Sequence, residues 1–185
     1  MRIGIIVGST RPGRKGAGVG AWVHEIASRR DDAEFELVDL ADYDLVLLDE
    51  ETVPSDAHRN YASAATRRWS AKIDELDGFV WVTPEYNHGV PAALKNALDV
   101  LWPEWGNKTV GFVAYGFDGG TRSVEQWRMI VAAAFMIAVR PQVALQNFAD
   151  FDGNRFTPQD RRERELTSLL DHLVRMTEAT ASLRS

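Results

Sequence analysis

The sequence predicts an α/β fold built on a parallel sheet, and two observations carry that reading. Short, nearly continuous apolar runs recur along the 185 residues, each closed by a glycine- or proline-bearing loop and followed by a stretch of helical periodicity. Such runs suit strands covered by helices on both faces. The strand-then-helix alternation repeats five times, which excludes a bundle or a sandwich and selects a parallel sheet.

Taken in order, Arg2–Gly8 (RIGIIVG) is the first strand. Ser9–Gly18 is a turn-rich loop, and a helical pattern runs from about Val19 to Arg30. Phe35, Leu37 and Leu40 mark a second strand over 34–39. From Asp42 to Asn60 the pattern is irregular and Pro54 breaks any single element, leaving a connecting loop with Leu45–Leu48 as a short apolar patch. Tyr61–Leu76 is helical, and Gly78–Thr83 (GFVWVT) is the third strand. Pro91–Leu101 forms a helix with proline in its first turn, where a missing N–H costs least. Thr109–Tyr115 gives the fourth strand, Ser123–Val139 a helix, Pro141–Leu145 the fifth strand and Pro158–Leu183 a C-terminal helix charged on one face. No repeat, linker or low-complexity stretch interrupts the chain, so residues 1–185 are expected to form one domain.

Composition narrows the function. With 45% hydrophobic and 26% charged residues the chain is globular rather than disordered or fibrous. There is no cysteine, which excludes disulfides, thiolate metal sites, iron–sulfur clusters and Cys nucleophiles. No apolar run approaches the roughly 20 residues a membrane span needs. The first apolar stretch stops at Val7, too short for a signal peptide, so a cytoplasmic protein is expected, with no membrane partner. A net charge of -6 disfavours nucleic acid as a partner. The charge is unevenly spread: residues 1–30 carry six Arg and Lys against one Glu, whereas residues 31–60 carry eleven acids against one Arg. A basic N-terminal segment on an acidic protein suggests a local anion site.

Ligands of an open parallel sheet bind outside the carboxyl ends of its strands. The loops after strands one, three and four are therefore the places to inspect. The first, Gly8-Ser9-Thr10-Arg11-Pro12-Gly13-Arg14-Lys15-Gly16-Ala17-Gly18, combines hydroxyls, three cations and glycines that let backbone N–H groups approach a guest. Placed before a helix N-terminus, it suits a phosphate. It is not a Walker A loop, because Gly13 is followed by Arg14-Lys15. Nor is it a dinucleotide fingerprint, because Gly16, Gly18 and Gly20 are too tightly spaced. The second loop, Pro84-Glu85-Tyr86-Asn87-His88-Gly89-Val90, can present N–H groups in sequence to the edge of a flat heteroaromatic ring such as a flavin, with Tyr86 packing against it. His88 reads as a turn residue, and Lys95 with Asp99 as a surface pair at i, i+4. The third loop, Tyr115-Gly116-Phe117-Asp118-Gly119-Gly120, is glycine-rich and should lie beside the second.

Together these loops resemble the NADPH-dependent FMN reductase family. The resemblance is carried by Gly8-Ser9-Thr10-Arg11-Pro12-Gly13-Arg14, by Pro84-Glu85-Tyr86-Asn87-His88-Gly89 with Pro91-Ala92-Ala93-Leu94-Lys95-Asn96-Ala97-Leu98-Asp99, and by Tyr115-Gly116 with Gly119-Gly120. It runs from Arg2 to about Leu145. It implies a flavodoxin-like three-layer fold with strand order 2-1-3-4-5, and a non-covalent FMN whose phosphate meets Ser9, Arg11 and the backbone of Lys15, Gly16, Ala17 and Gly18. By the same carry-over, Pro84, Glu85, Tyr86 and Asn87 meet the isoalloxazine, and Tyr115, Gly119 and Gly120 line its other edge. Many members have a shorter first loop with Ser and Asn after the Arg, where this chain has Arg14-Lys15-Gly16-Ala17-Gly18.

The resemblance also implies a homodimer or homotetramer, for which Trp102, Pro103, Trp105 and Met129–Ile137 are candidate interface residues. The implied reaction is a ping-pong oxidoreduction with NADPH or NADH as co-substrate. Hydride passes from the nicotinamide C4 to the flavin N5, then on to a quinone, an azo compound, a metal oxyanion or free flavin. The flavin carries that chemistry, so no catalytic side chain and no metal ligand is nominated. Arg14 and Arg122 are the cations that could read a 2′-phosphate. A flavodoxin-like electron carrier without NAD(P)H turnover is the alternative, disfavoured by the three basic residues of the first loop. A flavin-free sensing or assembly protein on the same scaffold is a third reading.

Overall fold

A computed structural model describes residues 1–184 of the chain. Five strands form one parallel sheet: β1 (Arg2–Val7), β2 (Glu34–Asp39), β3 (Gly78–Pro84), β4 (Thr109–Gly116) and β5 (Ile137–Gln146). Their order is β2-β1-β3-β4-β5, as the resemblance implied. β3 and β4 are buried at every position, which is why they read as unbroken apolar runs, whereas the edge strands β2 and β5 are only partly covered.

The helices are α1 (Gly16–Ala27), α2 (Ala64–Asp74), α3 (Ala92–Asp99), α4 (Thr121–Ala133) and α5 (Arg161–Ala179). They divide the apolar residues into two cores, one on each face of the sheet. One core gathers Val19, Val23 and the α5 leucines under Ile3, Ile5, Val80 and Val113. The other packs α2, α3 and α4 over Ile6, Phe79, Trp81 and Phe112. The second core is unusually aromatic: Trp81 meets Trp127 edge-on at 4.9 Å and Trp105 at 5.9 Å. Trp105, expected as a candidate for an interface, belongs to this core, while Trp102, Met129 and Phe135 stay exposed.

Several boundaries differ from the sequence expectation, and three of them bear on the site or the sheet. α1 begins at Gly16 rather than near Val19, so the three glycine-rich positions Gly16, Ala17 and Gly18 form its first turn. α4 ends at Ala133 instead of continuing to Val139, because Phe135 sits in the left-handed region at φ 57°. β5 accordingly starts at Ile137, not Pro141. Its pairing with β4 shifts register between Val110 and Phe112, and Pro141, which has no N–H to give, occupies the irregular stretch. The guanidinium of Arg128 on α4 collects the carbonyls loosened there, bonding Val139 O and Arg140 O at 2.9 Å each.

A short antiparallel hairpin, β6 (Phe151–Asp152) with β7 (Arg155–Phe156), follows β5 and was not expected. The apolar patch Leu45–Leu48 lies in an irregular connection in which Val46, Leu47 and Leu48 are exposed and Leu45 alone packs on the core. No helix among the described residues is long and apolar enough to cross a membrane.

Candidate functional site

At the carboxyl ends of β1, β3, β4 and β5 the loops enclose a cleft of about 270 Å³ lined by Arg11, Lys15, Pro84, Glu85, Tyr86, Tyr115, Gly116 and Asn147. Six of these are among the site residues expected from sequence; Gly116 and Asn147 are additions.

The first loop holds its cations in different ways. Arg11 is exposed, and its one hydrogen bond runs to the neighbouring Pro12 carbonyl at 3.3 Å. Lys15 donates to the neutral Asn147 Oδ1 at 3.1 Å and lies 4.5 Å from the Phe151 ring centre. Neither meets a carboxylate among the described residues. The ammonium of Lys15 is pushed below its ordinary pKa, first by burial and then by the positive charge of Arg11. Two cations that repel each other across one cleft mark a place where an anion would lower the energy of both. Arg14, by contrast, is paired with Asp39 at the end of β2, its Nε alone left buried without a partner.

Close packing explains the glycine that opens α1. A Cβ on Gly16 would collide with the Ser9 hydroxyl and stand 2.7 Å from Tyr115 Oη. Ser9 is buried, and its Oγ accepts the Tyr115 hydroxyl at 3.0 Å, which leaves the Ser9 proton for another acceptor. Burial pushes the Tyr115 phenol up to about 12, so it stays a donor at neutral pH. Ala17 and Gly18, in the first turn of the 12-residue α1, are exposed, and Lys15 at the N-cap contributes no side-chain cap. Their backbone N–H groups belong to the first turn, where the helix itself supplies no acceptor and the positive end of its dipole lies, although neither residue lines the cleft.

The second loop is a tight hairpin. Tyr86 and Gly89 exchange both backbone hydrogen bonds, at 3.1 and 2.9 Å, and Asn87 and His88 between them have φ of 51° and 65°. Two successive positive φ values define a type I′ turn, for which Asn at the first central position is well suited. This changes the donor set expected of the loop. The Glu85 N–H is taken by Tyr115 O at 2.9 Å and the Tyr86 N–H by Gly89 O, so of the consecutive donors only those of Asn87 and His88 carry no partner. The Glu85 carboxylate is not offered to a ligand either. It accepts from the backbone N–H of Arg122 at 3.0 Å and of Ser123 at 3.4 Å, capping α4. Tyr86 is 41% exposed and presents its ring to the cleft.

The third loop closes on the same cap. Gly120 has φ 72°, and a Cβ there would stand 2.7 Å from the Ala114 Cβ and 2.9 Å from Tyr115 N, so the turn requires glycine for backbone packing. Gly119 is buried against Ala144 and stands behind the cleft wall rather than among its lining residues. Arg122, considered for a 2′-phosphate, spends its guanidinium on Asp118 at 2.7 Å and Glu85 at 3.4 Å.

Asn147 arrives from a fourth loop that the sequence reading passed over. Asn147 N–H bonds Gly116 O at 2.9 Å, tying this loop to the third. Behind it, Asp150 and Arg162 form a buried bidentate pair at 3.0 and 2.8 Å, and Asp150 also accepts from the N–H groups of Gln146 and Gln159. That knot fixes the chain on either side of Phe151, the ring beneath Lys15.

Comparison with known proteins gives the family and the fold. A family model described as NADPH-dependent FMN reductase matches residues 1–150. An NAD(P)H-dependent FMN reductase of a Nectria species is 36% identical over 80% of this chain and 76% of its own length. A second, of Schizosaccharomyces pombe, is 40% identical over 70% of this chain and 64% of its own, so this chain spans just under two thirds of it. Among solved structures, an NAD(P)H:(acceptor) oxidoreductase flavoenzyme from Paracoccus denitrificans superposes with a TM-score of 0.75 over 97% of this chain and 98% of that one. At 21% identity this is a likeness of fold.

Proposed function

The chain belongs to the NADPH-dependent FMN reductase family of oxidoreductases, and on that premise we propose that its cleft binds FMN and passes reducing equivalents from NADPH or NADH to a small-molecule acceptor. The observation that carries this reading is the pair Arg11 and Lys15, two cations lining one cleft, neither of them paired with a carboxylate among the described residues.

In this reading Arg11, the Ser9 hydroxyl and the backbone of Lys15, Gly16, Ala17 and Gly18 at the start of α1 would hold the FMN phosphate, the Gly16 N–H being shared with the Tyr115 hydroxyl. Pro84, Glu85 and Tyr86 would hold the isoalloxazine, and Asn87 would offer its N–H to it. Tyr115, Gly119 and Gly120 form and back the opposite wall. When bound, FMN supplies hydride acceptance from the nicotinamide and delivery to a quinone, an azo compound, a metal oxyanion or free flavin in a ping-pong cycle. The protein's own part is to bind, orient and exclude water. Glu85 serves indirectly, holding α4 and the second loop together. With Arg14 bound to Asp39 and Arg122 to Asp118, neither of the cations considered for a 2′-phosphate is unengaged, which favours use of both NADPH and NADH.

We assign the exposed face around Trp102, Met129 and Phe135 to a homodimer or homotetramer contact, and place the reaction in the cytoplasm. Beside that face lies a 490 Å³ groove lined by Leu98, Leu101, Ile130 and Ala133.

The test is the visible spectrum of protein incubated with FMN and desalted, before and after anaerobic NADPH. Retained flavin bands that bleach within seconds of mixing support the reading. Bands that persist with both NADPH and NADH would convert the protein into an electron carrier, and no bands at all would overturn FMN binding.

A further inference from the structure

Two of the most exposed aromatic rings belong to residues that directly follow residues of the cleft lining. Phe117 is 72% exposed and Phe148 67% exposed, and the rings meet each other edge to face with centroids 5.8 Å apart. Each directly follows a cleft residue, Phe117 after Gly116 and Phe148 after Asn147. The Asn147-to-Gly116 backbone bond joins their loops at the root, and the Asp150–Arg162 pair anchors the second of them from behind. The rings are thus tied through bonded backbone to residues of the cleft lining while their faces remain open.

Rigid rings left in water beside a binding cleft offer stacking area at little further cost in conformational entropy. The charges near them indicate what is stacked. The cation on the third loop's side, Arg122, is already engaged by Asp118 and Glu85, so the phenyl pair brings apolar surface but no uncommitted charge to hold a pyrophosphate. Arg11 and Lys15 lie inside the cleft, where the proposed reading places the FMN phosphate.

We propose that Phe117 and Phe148 form the acceptor subsite, selecting flat, uncharged aromatic acceptors of the quinone class over inorganic ones. The inference rests on the FMN reading above. Phe117 and Phe148 would hold the acceptor ring; its reduction to the hydroquinone takes two electrons and a proton as hydride and a second proton from water. The reduced nicotinamide nucleotide supplies the electrons.

The experiment uses FMN-loaded protein and two acceptors, an uncharged naphthoquinone and ferricyanide, which has no ring to stack. In Phe117→Ala/Phe148→Ala the KM for the naphthoquinone is expected to rise roughly tenfold, the worth of one or two aromatic contacts. The KM for ferricyanide should move far less. The double Phe→Leu variant, which keeps apolar bulk and guards against misfolding of the alanine form, should show a smaller rise in the same direction. A second readout is binding of a non-reducible naphthalene to the loaded protein by ligand-observed NMR, expected to weaken in parallel. Equal changes for both acceptors, or an unchanged naphthoquinone KM with unchanged naphthalene binding, would overturn the subsite. Failure of the wild-type protein to retain FMN would instead overturn the reading beneath it.

Discussion

Two loops at the same end of the sheet treat positive charge in opposite ways. In Ser9–Lys15, Arg11 and Lys15 line the cleft, neither paired with a carboxylate among the described residues, and repel each other. In the segment from Asn147 to Arg162, the cation Arg162 is buried and locked bidentate on Asp150. The second arrangement spends its electrostatics on holding the backbone, and the first keeps them for something that arrives later. Where a cation is paired the structure is finished; where it is left unpaired beside an open helix N-terminus, the missing partner is the ligand. Arg14 makes the point within a single loop, since it lies one residue from Lys15 yet is scaffold, through Asp39.

The sharpest way to break this comparison is to remove one side of the buried pair. Arg162→Ala leaves Asp150 charged and buried, and should lower unfolding free energy by about 3–5 kcal/mol in a urea titration. A loss below about 1 kcal/mol would mean that the pair does not anchor the fourth loop. Removing an unpaired cation should do the reverse, sparing stability and harming binding. Arg11→Ala is expected to weaken FMN by roughly 1.5–3 kcal/mol while leaving the urea midpoint in place.

A third class of cation sharpens the contrast. Lys108 is buried at the opposite end of β4 and donates to the Ile73 carbonyl at 2.6 Å, and burial lowers its pKa to about 8 from 10.5. Between those values the unfolded chain binds more protons than the folded one, so stability rises with pH. Urea midpoints taken from pH 8 to 10 should reveal a gain on the order of 1–2 kcal/mol, and Lys108→Met should flatten that slope. The smallest effect belongs to the exposed pair of Lys95 and Asp99 on α3. Asp99→Asn should change stability by less than about 0.5 kcal/mol, because solvent screens both charges.

Much of the fold was legible because β3 and β4 are buried on both faces, so GFVWVT and TVGFVAY could hardly be anything but inner strands. β5 was harder to read. Its first residues, Ile137–Arg140, continue a helical pattern, and only the left-handed turn at Phe135 ends α4; a phenylalanine gives no warning of that conformation. The hairpin after β5 did carry a signal, Asp152-Gly153-Asn154 between two phenylalanines, with Gly153 at φ 57°. Reading it would have drawn attention to Asn147, the cleft residue missed.

Within the site, Arg11, Lys15 and Tyr86 could be named from loop position alone. The role of Glu85 could not, because its partners are backbone N–H groups 37 and 38 residues away on α4. Sequence places a residue on a loop, but which way its carboxylate turns depends on the helix that packs beside it.

The central claim, that unpaired cations in the first loop await a phosphate, is tested most directly by comparing FMN with riboflavin, which differs by the phosphate alone. Both are titrated by flavin fluorescence against wild type and Arg11→Ala. The wild type should bind FMN well over tenfold more tightly than riboflavin, and Arg11→Ala should lose most of that preference while binding riboflavin as before. Equal affinity of the wild type for the two flavins, or a preference untouched by the substitution, would contradict the account.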